Sequence, residues 1–235
     1  MKSVVVTGAA GFIGGQTVLK LLDLGYAVLA IDHRMPPLHL QNIGVAWLTG
    51  DFAGEVALDA IQTTNPAAII HCAGTSLVGP SITDPRLYYD NNFVKTQHLV
   101  NFLVDKKINT KFIFSSSAAV YGEPIFNPCQ EIDPAAPISP YGQSKLMVEW
   151  LLDSYHRAYG LDYVALRYFN ACGADSHGRH GQEPGATHII ARVLEAHLGR
   201  GEFVLNGNDF ETDDGTCVRD YIHVEDLADA HIRAM

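Results

Sequence analysis

A glycine-rich turn, set between an apolar run and an amphipathic one, constrains this chain more than any other feature. Ser3-Val4-Val5-Val6 leads into Thr7-Gly8-Ala9-Ala10-Gly11-Phe12-Ile13-Gly14, and apolar residues at helical spacing follow. Glycines let the backbone turn tightly and approach a pyrophosphate, and the helix that opens there offers free N–H groups and a positive dipole end. The spacing is G-x-x-G-x-x-G, one residue wider than the G-x-G-x-x-G dinucleotide fingerprint. Lys2 before the valines could open a secretion signal, but Gly8 and Gly11 break the apolar run early, so it reads as a buried first strand.

The rest of the chain repeats the strand–helix alternation. Strands are predicted over residues 3–7, 26–31, 45–49, 67–71, 111–115 and 163–167. Helices are predicted over 12–24, 55–64, 85–107 and 141–159. Asp84-Pro85 and Ser139-Pro140 each pair a capping residue with a proline at the first helical position. The pattern predicts an α/β fold, a doubly wound parallel sheet of the Rossmann type with a partial, smaller substrate-binding region. We read residues 1–170 as the dinucleotide-binding domain, 171–216 as a looser substrate-side region with a helix near 187–198, and 217–235 as a segment returning to the first domain. A closing helix over 223–235 carries Leu227, Ala230 and Ile232 on its apolar side. It has no capping glycine or proline, so the chain is expected to end inside an element.

Composition narrows the functions open to such a fold. Of the 235 residues, 47% are hydrophobic and 18% charged, enough apolar material for a sizeable core, which excludes a disordered chain. A net charge of −10 repels nucleic acid and anionic lipid, so neither is an expected partner. No apolar run reaches membrane-spanning length. Cys72, Cys129, Cys172 and Cys217 are scattered without a C-x-x-C pair, which argues for reduced thiols in the cytoplasm and against a metal site.

Asp32 closes the second predicted strand. A carboxylate there can accept from an adenosine ribose and repels a 2′-phosphate, which favours NAD over NADP, although Arg34 two residues on could receive such a phosphate. Tyr141 and Lys145 stand four apart at the start of a helix and share a face. A free phenol titrates near pH ~10, and a neighbouring ammonium together with the positive charge of oxidised nicotinamide lowers that value toward a working base. Ser117 ends the run Ser115-Ser116-Ser117 just past the strand at 111–115. The glycine turn, Asp32, residues 71–74, Ser117 and Asn170 all lie beyond strand carboxyl ends, where doubly wound sheets bind ligands.

Several ordered blocks carry a resemblance. They are residues 7–14, Tyr88-Tyr89-Asp90-Asn91-Asn92, residues 112–117 with Val120-Tyr121-Gly122, residues 139–145, Leu166-Arg167-Tyr168-Phe169-Asn170 and residues 215–224. Together they resemble the extended short-chain dehydrogenase/reductase family, in its NAD-dependent epimerase/dehydratase branch and there the UDP-glucose 4-epimerases. The resemblance implies an isomerase that oxidises a UDP-sugar at C4 with NAD, rotates the 4-keto sugar and reduces it on the other face. It implies Ser117, Tyr141 and Lys145 as the catalytic group. An NAD site is implied over Gly8, Gly11, Phe12, Ile13, Gly14, Asp32, His33, Asp51, Phe52, Cys72, Ala73, Gly74, Ser76, Asn91, Ser115 and Phe169, joined by Tyr141 and Lys145. The UDP-sugar is implied to meet Asn170, His188, Val204, Leu205, Asn206 and Arg219, along with Ser117 and Tyr141.

Related 4,6-dehydratases carry an Asp-Glu pair just after the catalytic serine or threonine; Ala118 and Ala119 stand here, which removes the agent of water elimination. Ser76 replaces a lysine frequent in such epimerases, and His188 replaces an asparagine. His177 and His180 read as polar loop histidines. The family continues beyond Met235, so the chain is expected to be a fragment, with a homodimer expected of the full-length enzyme. Alternatives are a 4-epimerase of a pentose or uronic-acid nucleotide, or an NAD-binding module without turnover.

Overall fold

The computed structural model describes residues 2–235. Elements run in the order β1 Ser3–Thr7, α1 Phe12–Asp23, β2 Ala27–Asp32, β3 Ala46–Thr49, α2 Glu55–Thr64, β4 Ala68–His71, α3 Val78–Thr83, α4 Pro85–Tyr88 and α5 Lys95–Asp105. There follow β5 Lys111–Ser115, α6 Pro140–Tyr159, β6 Tyr163–Leu166, β7 Asn170–Cys172, α7 Ile189–His197, β8 Tyr221–His223 and α8 Val224–Arg233. Six strands form one parallel sheet in the order β3-β2-β1-β4-β5-β6. The order reverses between β1 and β4, which opens a crevice beyond their carboxyl ends.

Alternation along each strand divides the core. Val5, Ile69, Phe112 and Phe114 point to one face, where Leu99, Val100, Val148 and Leu152 of α5 and α6 cover them. Val4, Val6, Ile70 and Ile113 point to the other, against Val18 and Leu21 of α1 and Ile232 of α8. Because both faces are covered, the strands read as nearly continuous apolar runs, which is why periodicity located them within a residue or so.

The expected helix over 85–107 is interrupted. After α4, residues Tyr89–Val94 form a π turn, and a regular helix resumes only at Lys95. Asn92, buried in that turn, accepts from Thr75 N at 2.7 Å and donates to Thr75 O at 3.1 Å and Ser144 Oγ at 2.9 Å. Asn91 donates to Thr75 Oγ1 at 3.1 Å. Widening the helical turn brings both amides to the loop after β4, and such turns concentrate at functional sites. By contrast, α6 starts as expected, with Ser139 Oγ accepting from Gly142 N at 3.1 Å, and ends at Gly160 in the left-handed region.

Beyond the sheet, β7 pairs in parallel with β8, joining Asn170 to Tyr221 and Cys172 to His223. Helix α8 then lies along α1, where Lys20 Nζ meets Asp229 Oδ1 at 3.0 Å. His180 corrects the reading of a polar loop histidine. It is buried over Gly15, donates to Phe12 O at 2.9 Å and meets His39 Nε2 at 2.9 Å. Neighbouring Asp175 accepts from Gln16 Nε2 at 3.1 Å and from Arg179, which also grips Asp23 with two bonds of 2.8 Å. That guanidinium holds the Asp175 carboxyl well below the usual carboxylate range. Together these groups tie the segment over residues 175–180 to α1. His177 remains an exposed loop residue.

Candidate active site

The turn after β1 is shaped by exclusion of side chains. Gly8 adopts φ +70°, and a Cβ there would stand 2.6 Å from Ala73 N. A Cβ on Gly14 would run into the Gly8 carbonyl. Gly11 precedes α1 with no side-chain cap, and the first turn holds no acidic residue, so the leading amides and positive dipole end face the crevice. Asp32 sits beside them at the end of β2. Its Oδ2 accepts from Ala10 N at 3.0 Å and its Oδ1 from Arg34 N at 2.9 Å, with His33 Nδ1 at 3.3 Å. The carboxylate is thereby oriented at the lip of the turn.

At the other end of the same crevice the proposed acid–base residues converge. Lys145 is buried, donates to Ser115 O at 2.8 Å and lies 4.9 Å from the Phe114 ring centroid and 5.9 Å from that of Tyr141. Burial pushes its ammonium down to about 8. Ser117 Oγ accepts from Ala119 N at 3.2 Å as it starts a short helical turn. Tyr141 is raised above its ordinary value by burial; a hydrogen bond with Ser117 works against that rise. The sequence argument expected a phenol lowered by Lys145 and oxidised nicotinamide together. Within the protein, burial outweighs the polar neighbours.

A cleft of about 900 Å³ joins these two ends. Of the residues expected at the NAD site it is lined by Gly8, Gly11, Phe12, Ile13, Gly14, Asp32, His33, Asp51, Phe52, Cys72, Ala73, Gly74, Ser76, Asn91, Ser115 and Phe169, together with Ser117, Tyr141 and Lys145. Asn170 and His188 line its far side and also a smaller neighbouring pocket under β7. The structure does not bring Val204, Leu205, Asn206 or Arg219 to this lining; all four are exposed, and Arg219 donates to the adjacent Val218 O at 3.0 Å.

Sequence reasoning missed Thr75, Lys95 and Tyr168 on the wall. Lys95 meets Asp51 Oδ2 at 2.7 Å, and burial pushes the Tyr168 phenol well up. Its place beside Phe169 was the available signal for Tyr168. Cys72, though in the cleft, is pushed up to about 11 by burial and is no nucleophile at neutral pH. Among the described residues no group of three or more histidine, cysteine or acidic side chains could hold a metal ion.

A cradle that side chains would fill, an oriented carboxylate and a cleft of this length fit a dinucleotide. Residues 4–235 match the model of the NAD dependent epimerase/dehydratase family. The chain belongs to that family. It is 44% identical over 235 residues to a UDP-glucose 4-epimerase of Halalkalibacterium halodurans, covering 99% of this chain and 70% of that one. A UDP-glucose 4-epimerase of Rhizobium leguminosarum bv. trifolii is 43% identical, with 100% and 72% covered. The crystal structure of UDP-glucose 4-epimerase from Brucella ovis in complex with NAD superposes with a TM-score of 0.92 at 42% identity, covering 100% of this chain and 73% of that one. The enzyme from Bifidobacterium longum in complex with NAD+ and UDP gives 0.91 at 38%, covering 98% and 73%. These two solved structures thus share the fold described above over 98–100% of this chain.

Proposed function

We propose that the protein is a UDP-hexose 4-epimerase that interconverts UDP-galactose and UDP-glucose with NAD as its resident cofactor. The observation that carries this reading is the meeting of Ser117, Tyr141 and Lys145 at one end of a cleft whose other end is the glycine turn and Asp32. The relatives and solved structures named above support the substrate and the cofactor.

The amides opening α1 would hold the cofactor's diphosphate, and Asp32 its adenosine ribose, with Asp51, Phe52, Cys72, Ala73, Gly74, Asn91 and Lys145 along its length. When bound, NAD supplies a reversible hydride acceptor. Tyr141 holds and moves the proton of the sugar 4-hydroxyl, Ser117 hydrogen-bonds that oxygen, and Lys145 supplies positive charge to the phenolate. One acid–base group suffices, because the proton taken from one epimer is returned to the other. Ala118 and Ala119 offer no second carboxyl, so elimination of water has no agent. Asn170 and His188 are read as the sugar-nucleotide wall, with Val204, Leu205, Asn206 and Arg219 closing over it; a guanidinium suits a diphosphate. The enzyme is read as a cytoplasmic homodimer acting in galactose metabolism; four free cysteines support the compartment, and exposed Trp150 and Tyr159 on α6 support the association.

The test is conversion of UDP-galactose to UDP-glucose by purified protein, with the released nucleotide identified after denaturation. Conversion with NAD released is expected. Absence of conversion in protein carrying NAD, or recovery of NADP, would defeat the assignment.

A further inference from the structure

Glu149 is a buried carboxylate that the proton chemistry leaves unused. It stands on α6 one turn past Lys145, and two other segments of the cleft occupy its oxygens. Ser116 Oγ donates to Oε1 at 2.5 Å. Arg167 donates from Nε to both oxygens, at 3.0 and 3.1 Å, and from a terminal nitrogen to Oε2 at 2.5 Å. The guanidinium is backed in turn by the Tyr121 ring, 4.9 Å to the centroid. Ser116 immediately precedes Ser117, and Arg167 immediately precedes Tyr168 and Phe169 on the cleft wall. One side chain therefore joins the ends of β5 and β6 to the helix that carries Tyr141 and Lys145.

Stability alone is a poor account of such an arrangement. A buried ion pair can often be replaced by apolar residues without loss, while a fully bonded one specifies a single geometry. Catalysis needs geometry, since a displacement of about 1 Å can cost about 100-fold. Electrostatics point the same way. His71 at the end of β4, Cys72 just after it, and Tyr141 and Glu149 on α6 face the Lys145 ammonium. Burial pushes Cys72 to about 11 and His71 to about 3, and raises Tyr141, so all three are neutral near pH 7. Glu149 is left as the anionic neighbour.

We propose that Glu149 is a positioning residue for the acid–base chemistry proposed above: through Ser116 it fixes Ser117 beside Tyr141, and from one helical turn away it sets negative charge behind Lys145. The chemistry in that statement rests on the epimerase reading. Two measurements test it. Ser116→Ala cuts the tie with little risk to folding. It should lower kcat for UDP-galactose about tenfold with KM within about twofold, and change kcat less than about twofold once Ser117 is already alanine. The same factor in both backgrounds, or a change confined to KM, overturns the proposal. The second measurement needs no turnover. Isotope-labelled lysine, assigned with Lys145→Met, should show Lys145 titrating near 8 and moving down by about half a unit or more in Glu149→Gln, because the amide removes the charge that favours the ammonium. A lysine titration unmoved in a folded Glu149→Gln protein overturns the proposal as well. If the unaltered protein fails to epimerise, the epimerase reading falls, and the lysine titration still decides what Glu149 does.

Discussion

Tyr141 is nearly enclosed, and its hydroxyl is hydrogen-bonded to Ser117. Replacing it with phenylalanine removes a single oxygen and leaves the ring's packing against Tyr88, so the fold and bound cofactor should persist. Turnover of UDP-galactose should fall by about 100-fold or more, the range for loss of a positioned acid–base group; wild-type-like turnover would remove Tyr141 from the mechanism. Gly8 allows a structural prediction at the same scale. In Gly8→Ala the new methyl meets the Ala73 backbone at a φ that alanine adopts poorly. Thermal denaturation should show a lower melting temperature, and the purified variant should retain little NAD. Full retention with unchanged melting would show that the loops at Gly8 and Ala73 can part freely.

The π turn makes its prediction at the scale of elements. Asn92 holds the backbone of Thr75 on both its N–H and its C=O and reaches Ser144 on α6, so it joins three segments. Asn92→Leu leaves those polar groups without their partner, a cost of about 1–3 kcal/mol for each buried group left unpaired. Faster cofactor release should accompany the lost stability, measured by dilution into an NAD trap; unaltered release would show that the loop after β4 holds its shape without the turn. This interruption is also where sequence reasoning stopped. The six sheet strands were legible because each is covered on both faces and reads as an apolar run. The capping pairs at Asp84 and Ser139 were legible because they act within one turn. Residues 85–107 keep helical spacing throughout, and only bonds to Thr75, distant in sequence, show that the ladder widens. His180 was misread for the same reason, since its partners His39 and Phe12 O lie far along the chain. Three-residue β7 and β8 are too short for periodicity to register. The lining of the cleft around the glycine turn was legible from strand ends that topology brings together and from the family resemblance. The positions of Val204, Leu205, Asn206 and Arg219 depend on loops that no periodic pattern governs.

Across the whole molecule, two histidines set a pH limit. His71 is enclosed by Phe52, Phe112 and Phe114 and bonded to the hydroxyls of Thr7 and Thr96; His231 bonds Ser115 and Leu227 O. Burial holds them at about 3 and about 4. In the unfolded chain they take up protons near pH ~6.5. Their contribution to stability is therefore complete above that value, and each removes up to about 1.4 kcal/mol per pH unit as the pH falls toward its folded value. Urea unfolding between pH 7 and 4.5 should show the decline, with a shallower slope in His71→Gln; equal slopes would show that His71 does not limit acid stability. A different consequence follows from the β7–β8 ladder. With the ends of the intervening stretch clasped side by side, and its beginning tied to α1, residues 182–220 form a closed excursion. Lengthening such an excursion costs only about 0.6 kcal/mol per doubling. On the epimerase reading proposed above, the sheet is a fixed socket for the dinucleotide, and the excursion, which brings Thr187 and His188 to the cleft, is an interchangeable cassette on the sugar side.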